Sequence, residues 1–215
     1  MGVMHISVTK ETMKQGILDS VTMQAVPEST AQWLQGNGFE AARIHGTDIG
    51  IAFFEERAPF RREFLNSECV RDYEITPQEL IESARKNMEY DPVEIQDMAQ
   101  YVQDIMGIPA DNKTGQVFTV LRTESGKYGG RAIFDPELLD RVAEMYGGDI
   151  YVVPSSIHEI IAFKKDSGME ATALAKIILQ VNETEVDPGD FLSNTPYVFE
   201  RGKGAEKSRW TTLNF

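Results

Sequence analysis

The chain has 215 residues, 41% hydrophobic and 26% charged, a balance that excludes a collagen-like, low-complexity or wholly disordered polypeptide. Its 34 acidic residues outnumber 21 basic ones, and the formal net charge of -13 argues against direct nucleic-acid binding because it repels phosphate backbones. No apolar run reaches the roughly 18 to 20 residues that cross a bilayer, and Cys69 is the only cysteine, so we expect a cytoplasmic protein without a membrane partner or an intramolecular disulfide.

The first 73 residues predict a small α+β section. Apolar residues near its start recur at helical spacing, and a serine lies where it could cap a second, shorter helix. Two β-rich runs then flank the polar link Gly46-Thr47-Asp48, which has a length that hairpins use. The predicted elements are a helix through Met13, Ile17 and Val21, a helix capped by Ser29, and strands over Phe39–His45 and Ile49–Phe54.

Residues 74–108 predict an acidic pair of amphipathic helices. Thr76, Pro77 and Glu79 satisfy both a capping box and the preference for proline at the first helical position. Asp91-Pro92 repeats this chemistry and predicts a second helix that ends near Gly107. From residue 72 to residue 104 the chain carries nine acids and two bases, a local net charge of -7. The acids that we expect to face a partner are Glu79, Glu82, Glu94, Asp97 and Asp104.

Residues 116–200 predict a second α+β domain, which follows the aperiodic linker Gly107–Gly115. The order β-β-α-β-β-α-β indicates a largely antiparallel sheet with helices on one face. Residues 201–215 combine glycine with basic side chains and predict a flexible tail. The predicted elements are strands over Val117–Leu121, Arg131–Phe134, Asp149–Val153, Ile157–Phe163 and Tyr197–Phe199, with helices capped by Asp135 and spanning Met169–Val181.

Part of the chain resembles an uncharacterised bacterial family, known as a domain of unknown function and frequent in anaerobic gut bacteria. The most specific mark of the resemblance is the string PSSIHE at residues 154–159. Thr76–Met98 is also similar to the region that precedes this mark, so the resemblance extends from about Glu74 to Phe199. It implies no catalytic residues. The remaining segments that carry it are Tyr151–Val153, Asn182–Val186 and Leu192-Ser193.

The most suggestive catalytic group in the sequence is Ser156 with His158 and Glu159. Ser156 and His158 are two residues apart on a predicted strand and would face the same side. A nucleophile needs an imidazole within hydrogen-bond reach of the hydroxyl, with an orienting acid behind it. Spacing alone does not supply this arrangement, and no Gly-x-Ser-x-Gly elbow is present. Pro-Ser-Ser is also good turn composition, so we favour a structural role and expect no catalytic residue.

Other site motifs favour structural explanations as well. The three histidines are far apart in sequence, and no His-Glu-x-x-His helix or calcium loop is present, so we expect no metal and no cofactor. Gly126–Gly130 lacks the Lys-Ser/Thr ending of a phosphate-binding loop and predicts a connection between strands. Asp187–Asp190 is more simply a helix cap or a turn than a carboxylate cluster.

By elimination, the sequence favours a non-enzymatic protein-interaction module that binds another protein. One alternative is an acidic inhibitor or nucleic-acid mimic, for example from a mobile element or phage, which presents the acids of 72–104 to a basic partner protein. A second alternative is a weak serine hydrolase at Ser156 and His158. The sequence does not predict an oligomeric state.

Overall fold

The computed structural model describes residues 9–44, 46–58, 61–98, 100, 118–166, 168, 171–184, 186–202 and 209–212. These residues form two antiparallel sheets with helices packed against them, which confirms the α+β class. Asp104 and the predicted linker Gly107–Gly115 lie outside the described residues. None of the described helices has both the length and the apolar character needed to span a membrane.

The first sheet is built around one long central strand. This strand, β3, pairs with β1 along one edge and with β2 and β4 along the other, always antiparallel. The β2–β3 hairpin was predicted and is confirmed. In chain order the elements are α1 (Lys10–Ser20), β1 (Val21–Pro27), α2 (Glu28–Gly36), β2 (Ala41–Arg43), β3 (Ile49–Ala58), β4 (Arg61–Phe64), α3 (Ser67–Asp72) and α4 (Pro77–Asn87).

Two details of the N-terminal prediction are wrong. Val21 starts β1 rather than extending the first helix, because Val21–Pro27 finds a full-length partner in β3. Ser29 lies inside α2, whose N-cap position is Pro27 and has no side-chain cap. α2 covers the outer face of the first sheet, and Gly50 of β3 allows this close approach, since a Cβ there would lie 2.4 Å from the Ala31 Cβ.

The capping box of α4 is confirmed. Thr76 Oγ1 accepts a hydrogen bond from the Glu79 backbone N–H at 3.2 Å, and Glu79 Oε2 accepts one from the Thr76 N–H at 2.7 Å. A second contact joins this cap to α1, because Lys14 Nζ lies 2.7 Å from Glu79 Oε1. Leu80 and Ala84 form the buried face of the helix.

The prediction of a second acidic helix that starts at Asp91 is wrong for its first residues, although Met98 and Gln100 are helical. Val93–Asp97 is a strand, β5, which pairs antiparallel with the strand at Phe118–Thr123, β6. The Asp91 carboxylate does not cap a helix, since it accepts hydrogen bonds from the Ser125 N–H and hydroxyl across the chain. The hydrogen bonds that Val93–Asp97 gains at the edge of β6 outweigh the local preference of Asp91-Pro92 for a helix start.

The second sheet has six strands in the order β10-β9-β7-β8-β6-β5, and every neighbouring pair is antiparallel. The predicted pairing of β7 with β8 and the Asp135 cap, which accepts from the Leu138 N–H at 3.0 Å, are both confirmed. After β5 and β6, the chain continues through a 3-10 helix (Gly129–Phe134), α5 (Pro136–Tyr146), β7 (Ile150–Val153), β8 (Glu159–Lys164), α6 (Ala171–Thr184), β9 (Tyr197–Glu200) and β10 (Arg209–Thr212).

Three predictions for this half of the chain need correction. Arg131–Phe134 is a buried 3-10 turn rather than a strand, because β5 and β8 already occupy both edges of β6. Residues 209–212 of the predicted flexible tail pair with β9 as a strand. Helices lie on both faces of the second sheet, since Ile178 of α6 packs on the face opposite to α5.

The two sheets share one hydrophobic core. Met23 and Phe53 from the first sheet belong to the same buried cluster as Leu121, Leu139 and Phe199. This core therefore contains residues from both sides of the predicted boundaries at residues 73 and 116. The division of the chain into separate domains stays a prediction. Burial of this shared apolar surface is the main force that holds the two sheets together.

A polar latch at Asp48, in the β2–β3 turn, also joins the two sheets. Its carboxylate accepts hydrogen bonds from Ser193 Oγ at 2.7 Å, from Thr195 Oγ1 at 2.9 Å and from the Tyr197 hydroxyl. The Tyr197 oxygen in turn accepts from the Asp48 N–H at 3.0 Å. Burial, and then the hydrogen bond to Asp48, raise the pKa of Tyr197, so its hydroxyl remains a donor.

Tyr197→Phe should destabilise the protein by about 1 to 3 kcal/mol, because it leaves the Asp48 N–H without its acceptor and removes one donor from the carboxylate. Urea unfolding measures the change. Tyr90→Phe removes a hydroxyl from an exposed tyrosine and is the matched control. Equal urea midpoints for the two variants would show that the latch does not contribute to stability.

The α4 cap predicts a dependence of stability on acid pH. The Lys14 ammonium, and then the Thr76 N–H and hydroxyl, lower the pKa of Glu79 from 4.5 to about 2. The stabilisation from the ionised carboxylate is therefore complete above about pH 4.5 and is lost as the pH falls towards 2. Glu79→Gln and Lys14→Met should each flatten this decline in the free energy of unfolding, measured with urea at several pH values. Wild-type-like curves for both variants would contradict the assignment.

Candidate functional site: an inter-sheet cleft

A cleft of about 950 Å³ opens where the two sheets meet. One wall comes from the β3–β4 hairpin of the first sheet. The other wall comes from the connection between α4 and β5 and from the connection that follows β6. Ligand sites occur preferentially at such junctions. The lining residues of this inter-sheet cleft are Glu56, Arg62, Tyr90, Asp91, Glu124, Ser125, Lys127 and Tyr128.

Arg62 ties the two walls of the cleft together. The central carbon of its guanidinium lies 3.9 Å from the ring centroid of Phe54 and 4.5 Å from that of Tyr128. Its two terminal nitrogens donate to Gln24 Oε1 at 3.3 Å and to Thr22 Oγ1 at 3.2 Å. The side chain is only 15% exposed. Stacking and hydrogen bonds thus hold a mostly buried cation at the base of the cleft.

Tyr128 has a strained backbone that other residues hold in place. Its φ of 58° lies in the left-handed region, which a tyrosine rarely adopts. The Tyr128 N–H donates to His158 Nδ1 at 3.2 Å, and the two rings lie 5.8 Å apart. The next residue, Gly129, must be small, because a Cβ there would lie 2.4 Å from the His158 carbonyl oxygen. His158 therefore supports the cleft from behind, through Tyr128.

The structure places Ser156 and His158 together but does not join them through the imidazole. Ser156 is 7% exposed, and its Oγ accepts from the His158 backbone N–H at 3.0 Å. The imidazole instead accepts from Tyr128 through Nδ1 and faces Asp190 Oδ1 at 3.2 Å through Nε2. Glu159 is the first residue of β8. Both imidazole nitrogens are thus engaged away from the Ser156 hydroxyl.

The backbone around Ser156 pairs with the chain that precedes β9. The Leu192 N–H donates to the Ser155 carbonyl at 3.0 Å, and Ser156 forms an isolated antiparallel bridge with Phe191. The Ile157 N–H donates to the Asp190 carbonyl at 2.8 Å. These contacts give the segment a structural role as a turn that leads into β8.

Asp91 and Arg131 fix the wall that carries Tyr90. The Asp91 carboxylate accepts from the Ser125 hydroxyl at 2.6 Å and from the Ser125 N–H at 3.2 Å. Arg131 donates to the Asp91 carbonyl and, at 3.2 Å, to the Tyr128 carbonyl. Burial lowers the pKa of Arg131, although nearby Asp91 opposes the shift. Sequence patterns assigned Asp91 to a helix cap and Arg131 to a strand, and neither assignment points to the cleft.

Three side chains at the mouth of the cleft are accessible to a partner. The Tyr90 side chain is the most conspicuous, since the residue is 72% exposed. Partial burial of its hydroxyl, and then the charges of Glu56 and Asp91, raise the pKa of Tyr90. Glu124 and Lys127 are exposed, and within the described part of the chain their charged groups have no hydrogen-bond or ion-pair partner.

The acids predicted to face a partner do not form one helical stripe. Glu79 and Glu82 lie on α4, whereas Glu94 and Asp97 lie on β5, and Asp104 is outside the described residues. Glu79 is held in the α4 cap, and Glu82 Oε1 accepts from the neighbouring Gln78 side chain at 2.8 Å. None of the four described acids lines the inter-sheet cleft.

The remaining motifs have local structural roles. Asp187–Asp190 forms a turn in which Asp187 Oδ1 accepts from the Gly189 N–H at 2.8 Å. The segment Gly126–Gly130 leads from β6 into the 3-10 helix, which begins at Gly129, rather than into a strand. Cys69 is exposed on α3. Across the residues that the structure describes, no group of three or more His, Cys, Asp or Glu side chains could hold a metal ion.

Residues 55–201 match the family model described as a family of unknown function, DUF5688. The chain belongs to this family. The DUF5688 match begins within β3, earlier than the Glu74 that the sequence resemblance indicated, and it contains every residue that lines the inter-sheet cleft. No curated protein and no solved structure matches the chain.

His158→Ala should destabilise this DUF5688 protein by about 1 to 3 kcal/mol, because the Tyr128 N–H loses its acceptor while its strained backbone remains. Lys164→Ala, an exposed change at the far end of β8, the strand that His158 precedes, is the matched control and should be nearly neutral. Urea midpoints measure both. A larger loss in the lysine variant would contradict the supporting role of His158.

Proposed function

We propose that the chain is a non-enzymatic protein-interaction module that holds a segment of a partner protein in the inter-sheet cleft. The observation that carries this proposal is the 72% exposed Tyr90 at the mouth of a cleft of about 950 Å³. Tyrosine and arginine are the side chains, with tryptophan, that most often dominate the binding energy of protein interfaces. Isolated exposed aromatics are common, but here the tyrosine borders a concave surface with charges of both signs.

The fixed walls of the cleft favour binding. Arg62 is clamped between two rings, and Asp91 is bonded to Ser125 on the opposite side. A surface that is already ordered loses little conformational entropy when a partner docks, so more of the contact energy appears as affinity. Glu124 and Lys127 add polar contacts at the rim, where charges contribute mainly to orientation and association rate.

The same lining gives little support to acyl-transfer chemistry. Among the lining residues that the structure describes, Ser125 offers the one serine hydroxyl, and that hydroxyl is hydrogen-bonded to the Asp91 carboxylate at 2.6 Å. No histidine is among these residues. A serine nucleophile normally needs a base that takes its proton and then returns it to the leaving group, a role that an ionised carboxylate performs poorly. These contacts favour a binding role.

Site-specific photo-crosslinking in the native host tests the proposal. A benzophenone amino acid at position 90 should yield a discrete adduct with a partner polypeptide, whereas the same group at Met145, which is also exposed but lies on α5, should not. Introducing Glu124→Lys beside the position-90 probe should lower the adduct yield several-fold, because it reverses an exposed negative charge at the rim.

The result that would overturn the proposal is an absence of any discrete adduct at position 90, or adducts of equal yield at positions 90 and 145. Circular dichroism of the purified probe variants confirms that both are folded, which is expected because both replaced side chains are exposed.

A further inference from the structure

The accessible charge of the inter-sheet cleft is negative, although the lining as a whole is nearly balanced. The cations Arg62 and Arg131 point inward, since they donate to side chains of β1 and to backbone carbonyls. Among the described lining residues, Lys127 is therefore the exposed cation. The lining carries three carboxylates, those of Glu56, Asp91 and Glu124. Because Asp91 is already bonded to Ser125 and Glu56 Oε1 is paired with Arg62 at 4.0 Å, Glu124 and the second oxygen of Glu56 are the acceptors left for a ligand among the described lining residues.

Tyr90 lies beside this negative surface and offers an aromatic ring. The ring belongs to a residue that is 72% exposed, and the carboxylates of Glu56 and Asp91 are close enough to act on its hydroxyl. A cation is attracted both to the face of an aromatic ring and to nearby carboxylates. The exposed lining thus suits a positively charged group better than an anion such as phosphate.

We propose that the inter-sheet cleft takes an arginine side chain of the partner segment, with its guanidinium stacked on Tyr90 and paired with Glu56 or Glu124. This inference rests on the proposed function of the same cleft. Arginine fits better than lysine, because a planar guanidinium can stack on a ring while its edge donates two hydrogen bonds to a carboxylate. Arg62 shows the stacking part of this arrangement, since its guanidinium lies over Phe54 at 3.9 Å, while its Nε forms an ion pair with Glu56 Oε1 at 4.0 Å without a hydrogen bond.

The inference is tested by titrating the full chain with the peptide acetyl-Gly-Arg-Gly-amide and recording backbone amide NMR shifts. We expect saturable shifts that cluster at residues 90–91 and 124–128. The peptide with citrulline in place of arginine has nearly the same shape without the charge, and it should bind at least about tenfold more weakly. The corresponding peptide with glutamate should not bind.

Matched variants separate the two contacts. Tyr90→Phe keeps the ring and should retain the affinity for the arginine peptide within about twofold, whereas Tyr90→Leu should lower it about tenfold. Glu124→Gln should weaken binding, and more so together with Glu56→Gln. Glu82→Gln, which removes an acid of α4 outside the cleft, should leave the affinity unchanged. The dispersion of the amide spectrum shows whether each variant is folded.

Equal affinity for the arginine and citrulline peptides would overturn the inference, as would shifts scattered over the surface or the absence of saturable shifts. The crosslinking experiment distinguishes these failures from failure of the proposed function. A discrete adduct at position 90 without binding of the arginine peptide would leave the cleft as an interaction site and reject arginine as its ligand. Loss of both signals would reject both proposals.

Discussion

The guanidinium of Arg62 lies between Phe54 and Tyr128, and the geometry of the cleft depends on that position. Removing a cation from water is costly unless other contacts replace its hydration. Here two aromatic faces and two side-chain oxygens replace it for the terminal nitrogens, while the buried Nε has only the ion pair with Glu56 Oε1 at 4.0 Å. Because Phe54 belongs to β3 and Tyr128 to the second half of the chain, the contact also sets the distance between the walls. A continuous series of ring–ring and cation–ring contacts includes Phe39, Phe64, Phe54, Arg62, Tyr128 and His158.

The string PSSIHE does not line the cleft, and it supports the cleft through the contact of His158 with Tyr128. His158 contributes an acceptor for the Tyr128 N–H, and the carbonyls of Ile157 and His158 leave room only for glycines at positions 129 and 130. A short, distinctive motif can therefore serve a site by fixing the backbone of its neighbour. In such a motif, a serine and a histidine near each other in sequence do not by themselves indicate chemistry.

The sequence correctly predicted those elements whose formation depends on contacts between residues near each other in the chain. Thr76 and Asp135 cap helices as their sequences indicate, because the bonds that each cap makes lie within a few residues. Asp91 has the same local pattern but precedes a strand, since β6 offers an edge from far along the chain. The cleft could not be predicted in this way, because Arg62, Tyr90 and Tyr128 share no sequence periodicity and meet only when the two sheets pack together.

The latch at Asp48 also has a consequence for the order of folding. Asp48 is separated by 145 to 149 residues from the hydroxyls that satisfy it, whereas the β2–β3 hairpin around it is local. Contacts so distant in sequence form late, because closing a long loop costs chain entropy before any contact is gained. During synthesis the Asp48 carboxylate therefore stays hydrated until Ser193–Tyr197 has left the ribosome. The N-terminal sheet reaches its final stability only when residues 193–197 are available to it.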